Sequence, residues 1–388
     1  MNAALKKSLP IFLVAINMRA GLILIGPLLP ILKDEYNLSV FSESILASTP
    51  LLLFSLSAIF MRRVNRLGST NRIIFLAISV LTLSLILRVT FGVASLLIFS
   101  ISLGISVAIL NYMLPVWVKE NNSENMGLVT GAYAAIMGIC ASISLAITAP
   151  LASLTSFSWR LSMLPWIGIG IATIIYWRIK MPKSKTSEAV VENGVSFWSN
   201  PLFKSKTAWS ITLFFGFLNM IHYASATWLP TILLTKDFTL NEASATVAAA
   251  TLIGSLLSLA VPHYASRSQD LRGVLGIFSL FLAISYAAIA LDSGWRLVIW
   301  VITANIGVYV TFSLALFLVV FRGADAEKTK SLSIMMQSMG YLLATTAPLI
   351  LGLIFNISGS WNKSLIFLVG LAVAQVAIAM SAGRKEKI

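Results

Sequence analysis

The run Leu13-Val14-Ala15-Ile16-Asn17-Met18-Arg19-Ala20-Gly21-Leu22-Ile23-Leu24-Ile25-Gly26-Pro27-Leu28-Leu29-Pro30 decides the class of this protein. It lies inside an apolar stretch from residue 9 to residue 32. Crossing a ~30 Å hydrocarbon core takes ~20 apolar residues, so the stretch is long enough to span a bilayer. Lipid offers no partner to a loose backbone group, and a span of this length must therefore be helical. Further runs of spanning length occur at 41–60, 72–91, 95–118, 125–149, 160–180, 208–234, 241–263, 273–291, 295–321, 329–356 and 361–381, twelve in all. Between them lie short pieces with turn chemistry, such as Arg66-Leu67-Gly68-Ser69 and Asn356-Ile357-Ser358-Gly359-Ser360.

Composition agrees with the spans. Of 388 residues, 58% are hydrophobic and 11% charged, against about 25% charged in soluble domains, and the mean hydropathy is +0.89. A soluble multidomain enzyme is excluded. Cys140 is the one cysteine and sits in an apolar run, so neither a disulfide framework nor a cysteine metal cluster is expected. No cofactor is expected.

The net charge of +14 invites a nucleic-acid reading, but its distribution gives topology instead. With the first span starting in the cytoplasm, 21 of the 28 Lys and Arg fall in cytoplasmic segments and six outside. Arg19 lies within a span. Such a bias is the positive-inside signal. It predicts a multi-pass protein of the bacterial inner (plasma) membrane, with both termini cytoplasmic and its basic residues facing lipid headgroups. No soluble basic face with base-reading residues is present, so no nucleic-acid partner is expected. The first apolar run is too long for a signal peptide and lacks a small-residue cleavage site, so it is expected to stay.

The most polar stretch, residues 181–207, divides the chain into a six-span half over 1–180 and another over 208–388. An offset of 200 superposes Leu29-Pro30-Ile31-Leu32 on Leu229-Pro230-Thr231-Ile232, and Arg19 on Asn219. Two equal halves around a cytoplasmic loop predict two six-helix bundles, a cytoplasmic linker and a monomeric carrier built by duplication.

The chemistry concentrates on a few polar positions inside spans. All fourteen acidic residues fall in loops or at span ends. Arg19 lies ten residues into the first span, at ~1.5 Å per residue about 15 Å deep. A cation at that depth needs water, a partner or a ligand. One reading makes Arg19 structural, bonded to carbonyls or to Asn111. The other gives it an anionic or strongly dipolar solute, which guanidinium suits by its planar fork. On span 7, Asn219, His222, Tyr223 and Ala226 share a helix face. His222 is equally read as an interhelical hydrogen-bonding residue or as a proton carrier. Ser333, Gln337 and Tyr341 line a face of span 11, and Tyr133 and Asn305 are further cavity candidates.

Several stretches resemble the cyanate and 2-nitroimidazole transporter branch of the major facilitator superfamily. In span 1 they are Asn17-Met18-Arg19 and Gly26-Pro27-Leu28-Leu29-Pro30. Asn111, Pro115, Lys119, Gly127, Gly131, Tyr133 and Trp159-Arg160 follow, then Tyr223 and Trp228-Leu229-Pro230. Span 11 adds Met336-Gln337-Ser338, Gly340-Tyr341, Pro348, Gly352 and Gly359-Ser360-Trp361. The resemblance implies an all-α fold of twelve transmembrane helices in two bundles that rock by alternating access. It also implies secondary transport of a small solute. Two positions depart from the pattern: Asn65 stands where the superfamily's loop between spans 2 and 3 usually carries an Asp, and His222 where this branch has an aromatic residue.

The expected substrate set is Arg19, Asn111, Tyr133, Asn219, His222, Tyr223, Gln337 and Tyr341, acting on a small anionic or electron-rich solute. Export of a drug-like nitroimidazole is the alternative within transporters. A membrane-embedded enzyme is the alternative outside them. It would want paired carboxylates, a nucleophile with its base, or metal ligands, which this sequence does not bring together. Proton coupling stays open between His222 and a carrier that runs downhill or by exchange.

Overall fold

The computed structural model describes residues 8–64, 67–90, 92–122, 126–154, 158–180, 201–258, 261, 265, 267–324 and 326–386. Among them there is no strand. The helices are α1 (Leu9–Ile23), α2 (Ile25–Tyr36), α3 (Val40–Val64), α4 (Thr70–Arg88), α5 (Gly92–Asn121), α6 (Met126–Ser153) and α7 (Leu164–Lys180), followed by α8 (Lys206–Leu234), α9 (Leu240–Ser258), α10 (Arg272–Leu291), α11 (Arg296–Arg322), α12 (Ala326–Ser358) and α13 (Trp361–Ala382). Most of the expected connection between the halves, residues 181–200, lies outside the described residues, as do Asn65 and His263.

The first span, expected as one helix, is two: α1 and α2 meet at Leu24. Pro27 has no amide hydrogen for the carbonyl of Ile23, four residues back, and its ring crowds that oxygen. Ten helices of the described residues are long and apolar enough to cross a membrane. The expected spans 2 and 7 form as α3 and α8 but fall outside that ten for a local reason. Over its described side chains α3 offers a shorter apolar piece, Val40–Leu56. In α8 the segment around Asn219, His222 and Tyr223 is polar, and most of the helix is buried against protein rather than lipid.

The internal repeat is visible in the backbone. Asn37 and Asp237, 200 residues apart, are the two non-glycine residues with positive φ among the described residues, at 50° and 68°. Asn and Asp tolerate this left-handed region because their short polar side chains bond locally. Each residue ends a span just before the next helix, which starts at Val40 in one case and Leu240 in the other. Thr239 and Glu242 form a reciprocal cap at the second of these starts, the Thr239 amide donating to Glu242 Oε2 at 2.8 Å and the Glu242 amide to Thr239 Oγ1 at 3.3 Å.

Small residues set the approach of the two halves. A Cβ on Gly26 of α2 would meet the carbonyl oxygen of Ala226 on α8, and one on Gly352 of α12 would meet Ser44 Oγ of α3. On the other flank Ser142 Oγ of α6 donates to the Ala248 carbonyl of α9 at 2.7 Å. A Cβ on Gly138 of α6 would come 2.8 Å from Ser255 Oγ. These contacts form a seam over α2–α8, α3–α12 and α6–α9, and its α2–α8 part lies towards the end away from both termini. Stripes of small residues of this kind let helix backbones come together without lipid between them.

Candidate functional site

Arg19 projects from α1 one turn before the break, and its Nη1 donates to the phenolic oxygen of Tyr223 on α8 at 3.0 Å. The guanidinium is half-buried. The ion pairs among the described residues are Arg160–Glu35, Arg272–Asp270 and Arg296–Asp292, so no carboxylate neutralises Arg19 there. Of the two partners expected for a structural arginine, backbone carbonyls and Asn111, neither holds it among the described residues. The partner is a phenol.

Aromatic rings close around this pair. The Tyr223 ring lies 4.9 Å from His222 and 6.2 Å from Tyr341, centroid to centroid. His222 stands edge-on to Tyr309 of α11 at 5.5 Å. Tyr341 is in turn edge-on to Phe54 of α3 and Phe215 of α8, each at 5.5 Å. Edge and face contacts of this kind hold the rings in fixed orientations. The result is one cation walled by tyrosine hydroxyls and flat apolar surfaces, contributed by α1, α3, α8, α11 and α12.

The structure thus brings together four of the residues expected from sequence: Arg19, His222, Tyr223 and Tyr341. Tyr309 and Phe54 join them without having been singled out. Asn305 lines a small cavity of about 10 Å³ together with His222, Tyr309, Thr251 and Tyr286, room for about one water. Asn219 is fully buried. Its amide nitrogen donates back to the Phe215 carbonyl of its own helix at 2.7 Å, which leaves its side-chain oxygen unpartnered. Gln337 is exposed one turn from Tyr341 towards the end that carries the termini, and donates to Ser333 Oγ at 3.0 Å. Asn111 and Tyr133 are half-buried on α5 and α6.

One carboxyl departs from the sequence-based placement of the acids. Glu43 stands in the first turn of α3, where position alone puts it at a span end, yet it is only 3% exposed. It neighbours Ser44, which packs against Gly352 at the seam. No signal in the sequence separates it from a solvated first-turn acid.

Comparison with known proteins agrees with this architecture. The family model described as Major Facilitator Superfamily matches residues 11–348. The chain is 28% identical to the "Uncharacterized transporter YycB" of Bacillus subtilis (strain 168), over 97% of this chain and 93% of that one. It is 26% identical to the 2-nitroimidazole transporter of Escherichia coli (strain K12), over 97% and 95% of the two chains. To the cyanate transport protein CynX of the same organism it is 22% identical, over 96% of each. In fold it is similar to a bacterial homolog of the human lysosomal transporter Spinster, solved inward-facing and unoccupied. The TM-score is 0.80 at 13% identity, covering 98% of this chain and 97% of that one.

Proposed function

Because the chain belongs to the major facilitator superfamily, and is therefore a membrane transporter rather than an enzyme, we propose that it carries a small anionic or electron-rich solute by alternating access about Arg19. The observation that carries this reading is the half-buried guanidinium with a tyrosine hydroxyl and no carboxylate beside it. A cation so placed gains most from a ligand that brings the missing negative charge. Planar oxyanions and cyanate-like ions fit the fork of its N–H groups. Tyr223 and Tyr341 add hydroxyl donors, while Gln337, Asn111 and Tyr133 line the approach.

Residues 1–180 and 208–388 are the two rocking units, joined by 181–207. Both termini lie in the cytoplasm of a bacterial inner-membrane protein that works as a monomer. The seam at Gly26 and Gly352 is then the closed outer gate, and Gln337 stands in a vestibule open to the cytoplasm. Topology is tested in a Cys140→Ala background. A cysteine at Asn37 should react with an impermeant maleimide from outside and one at Ser268 from inside, and the reverse pattern overturns the assignment.

Export of a flat nitroaromatic solute is the second reading. It is favoured by the rings of Tyr223, Tyr309, Tyr341 and Phe54, which suit stacking on a planar heterocycle while Arg19 meets a nitro group. Ligand-induced melting shifts of the purified protein across cyanate, nitrate, small carboxylates and 2-nitroimidazole decide between the two. A response confined to the nitroimidazole rejects the anion reading.

A further inference from the structure

The sequence places Arg88 at the outer end of the third span, among residues expected to face water. The structure buries it: Arg88 is 1% exposed. Its Nη1 donates to the Gly21 carbonyl of α1 at 2.8 Å, while Nε has no partner. No carboxylate pairs with it among the described residues. A buried cation with N–H groups left over is costly unless something compensates it.

Beside the guanidinium is a cavity of about 30 Å³, lined by Gly21, Gly26, Pro50, Arg88, Tyr223 and Thr227 among others. Its lining contains no acid. One cation, the hydroxyl of Tyr223 and an otherwise largely apolar wall make a set of donors for an anion, while the Thr227 hydroxyl donates to the Tyr223 carbonyl at 2.8 Å. The space takes two waters or one small ion, given that a single water needs roughly 10–15 Å³ on this measure. The cavity lies where α1 breaks into α2, and Gly26 and Ala226, which meet at the seam, both line it. Tyr223 forms part of its wall and at the same time holds Arg19 through its hydroxyl. Tyr223 thus belongs to both places, bonded to Arg19 and lining the cavity that Arg88 lines.

We propose that Arg88 and this cavity form a second binding position for a small monovalent anion, separate from Arg19 and between it and the seam. The anion accepts from the free guanidinium N–H groups of Arg88 and from the hydroxyl of Tyr223. It occupies this position when it enters past the opened seam, before it reaches Arg19. The inference rests on the anionic reading of the solute at Arg19, and the test keeps the two apart.

The probe is bromide, titrated as the sodium salt against gluconate at constant ionic strength into the purified full-length protein, with heat and stoichiometry recorded. The native protein should bind two equivalents. Arg88→Gln should bind one, Arg19→Gln the other, and the double variant none. Retention of a single site in Arg19→Gln that Arg88→Gln abolishes supports this position even if native binding at Arg19 is absent. A single native site untouched by Arg88→Gln overturns the proposal, as does no binding at all. If Arg88→Gln does not fold, Arg88→Lys keeps the charge without the fork. Binding at the second site should then weaken roughly tenfold while the first is unchanged. The anomalous signal of bromide in crystals of the native protein decides independently: density beside Arg88 supports the site, and density at Arg19 alone removes it.

Discussion

Tyr223 Oη accepts a hydrogen bond from Arg19 Nη1 at 3.0 Å and so ties the first span to the seventh across the middle of the protein. A hydrogen bond to a charged group contributes ~1.5–3 kcal/mol. Tyr223→Phe keeps the ring that packs on His222 and Tyr341 but removes the acceptor. The guanidinium is then less well oriented for solute. Affinity should fall roughly 10- to 100-fold, as read by ligand-induced melting shifts and liposome transport. An unchanged affinity would show that the bond is structural only.

Arg19 itself separates charge from geometry. Arg19→Ala should abolish transport in liposomes while the protein still folds. Arg19→Lys should restore it poorly, because an ammonium is a point donor and loses the planar fork. Solute binding to purified Arg19→Ala at native strength would remove Arg19 from the site.

Much of this was legible in the sequence. The apolar runs found all twelve spans, because lipid forces helix on any stretch that crosses it. The depth of Arg19 marks it as a candidate, since a cation in hydrocarbon has few alternatives. What escaped was which side of each helix faces protein. Arg88 reads as a span-end arginine in any topology count; only the break of α1 brings Gly21 to its guanidinium. Glu43 likewise reads as a first-turn acid at a water boundary, yet it is only 3% exposed. Tyr309 looked like any tyrosine in an apolar helix, because nothing in one sequence says that α11 turns it towards His222. Asn219 is the opposite case. Its helix periodicity matched that of His222 and Tyr223, but its amide nitrogen bonds to its own backbone.

The seam offers a steric test. A Cβ at Gly26 would press on the Ala226 carbonyl, which belongs to backbone and cannot swing away. Gly26→Ala should therefore cost about 1–3 kcal/mol in the closed seam and shift the protein towards a state with these helices apart. In a Cys140→Ala background, a cysteine at Leu46, which is buried in the structure, should label faster in the Gly26→Ala protein. Gly370 is the control: a Cβ there meets nothing within 4 Å, so Gly370→Ala should leave both labelling and transport unchanged. Equal labelling with and without Gly26→Ala would mean that the close approach does not hold the seam.

The driving force can be argued from the titratable groups near the pathway. Proton-coupled carriers commonly use a buried ionisable group reached from each side in turn. Two groups here are candidates. His222 lies in the aromatic cluster between Tyr223 and Tyr309, and Glu43 lies buried at the seam with Lys33 and Asp34 as its charged neighbours. Arg19 already supplies the cation that a bound anion would offset, so a proton on His222 would call for a second negative charge in the same place. On the proposed reading Glu43 stands at the gate end, away from the vestibule at Gln337. Neither arrangement suits carrying a proton across with the solute, and transport is expected to run downhill or by exchange. The measurement is solute accumulation in liposomes under an imposed pH gradient, comparing the native protein with His222→Gln and Glu43→Gln. The expected result is no gradient-driven accumulation in any of the three. Accumulation in the native protein that His222→Gln abolishes would assign coupling to the histidine. The same loss in Glu43→Gln alone would assign it to the seam carboxyl.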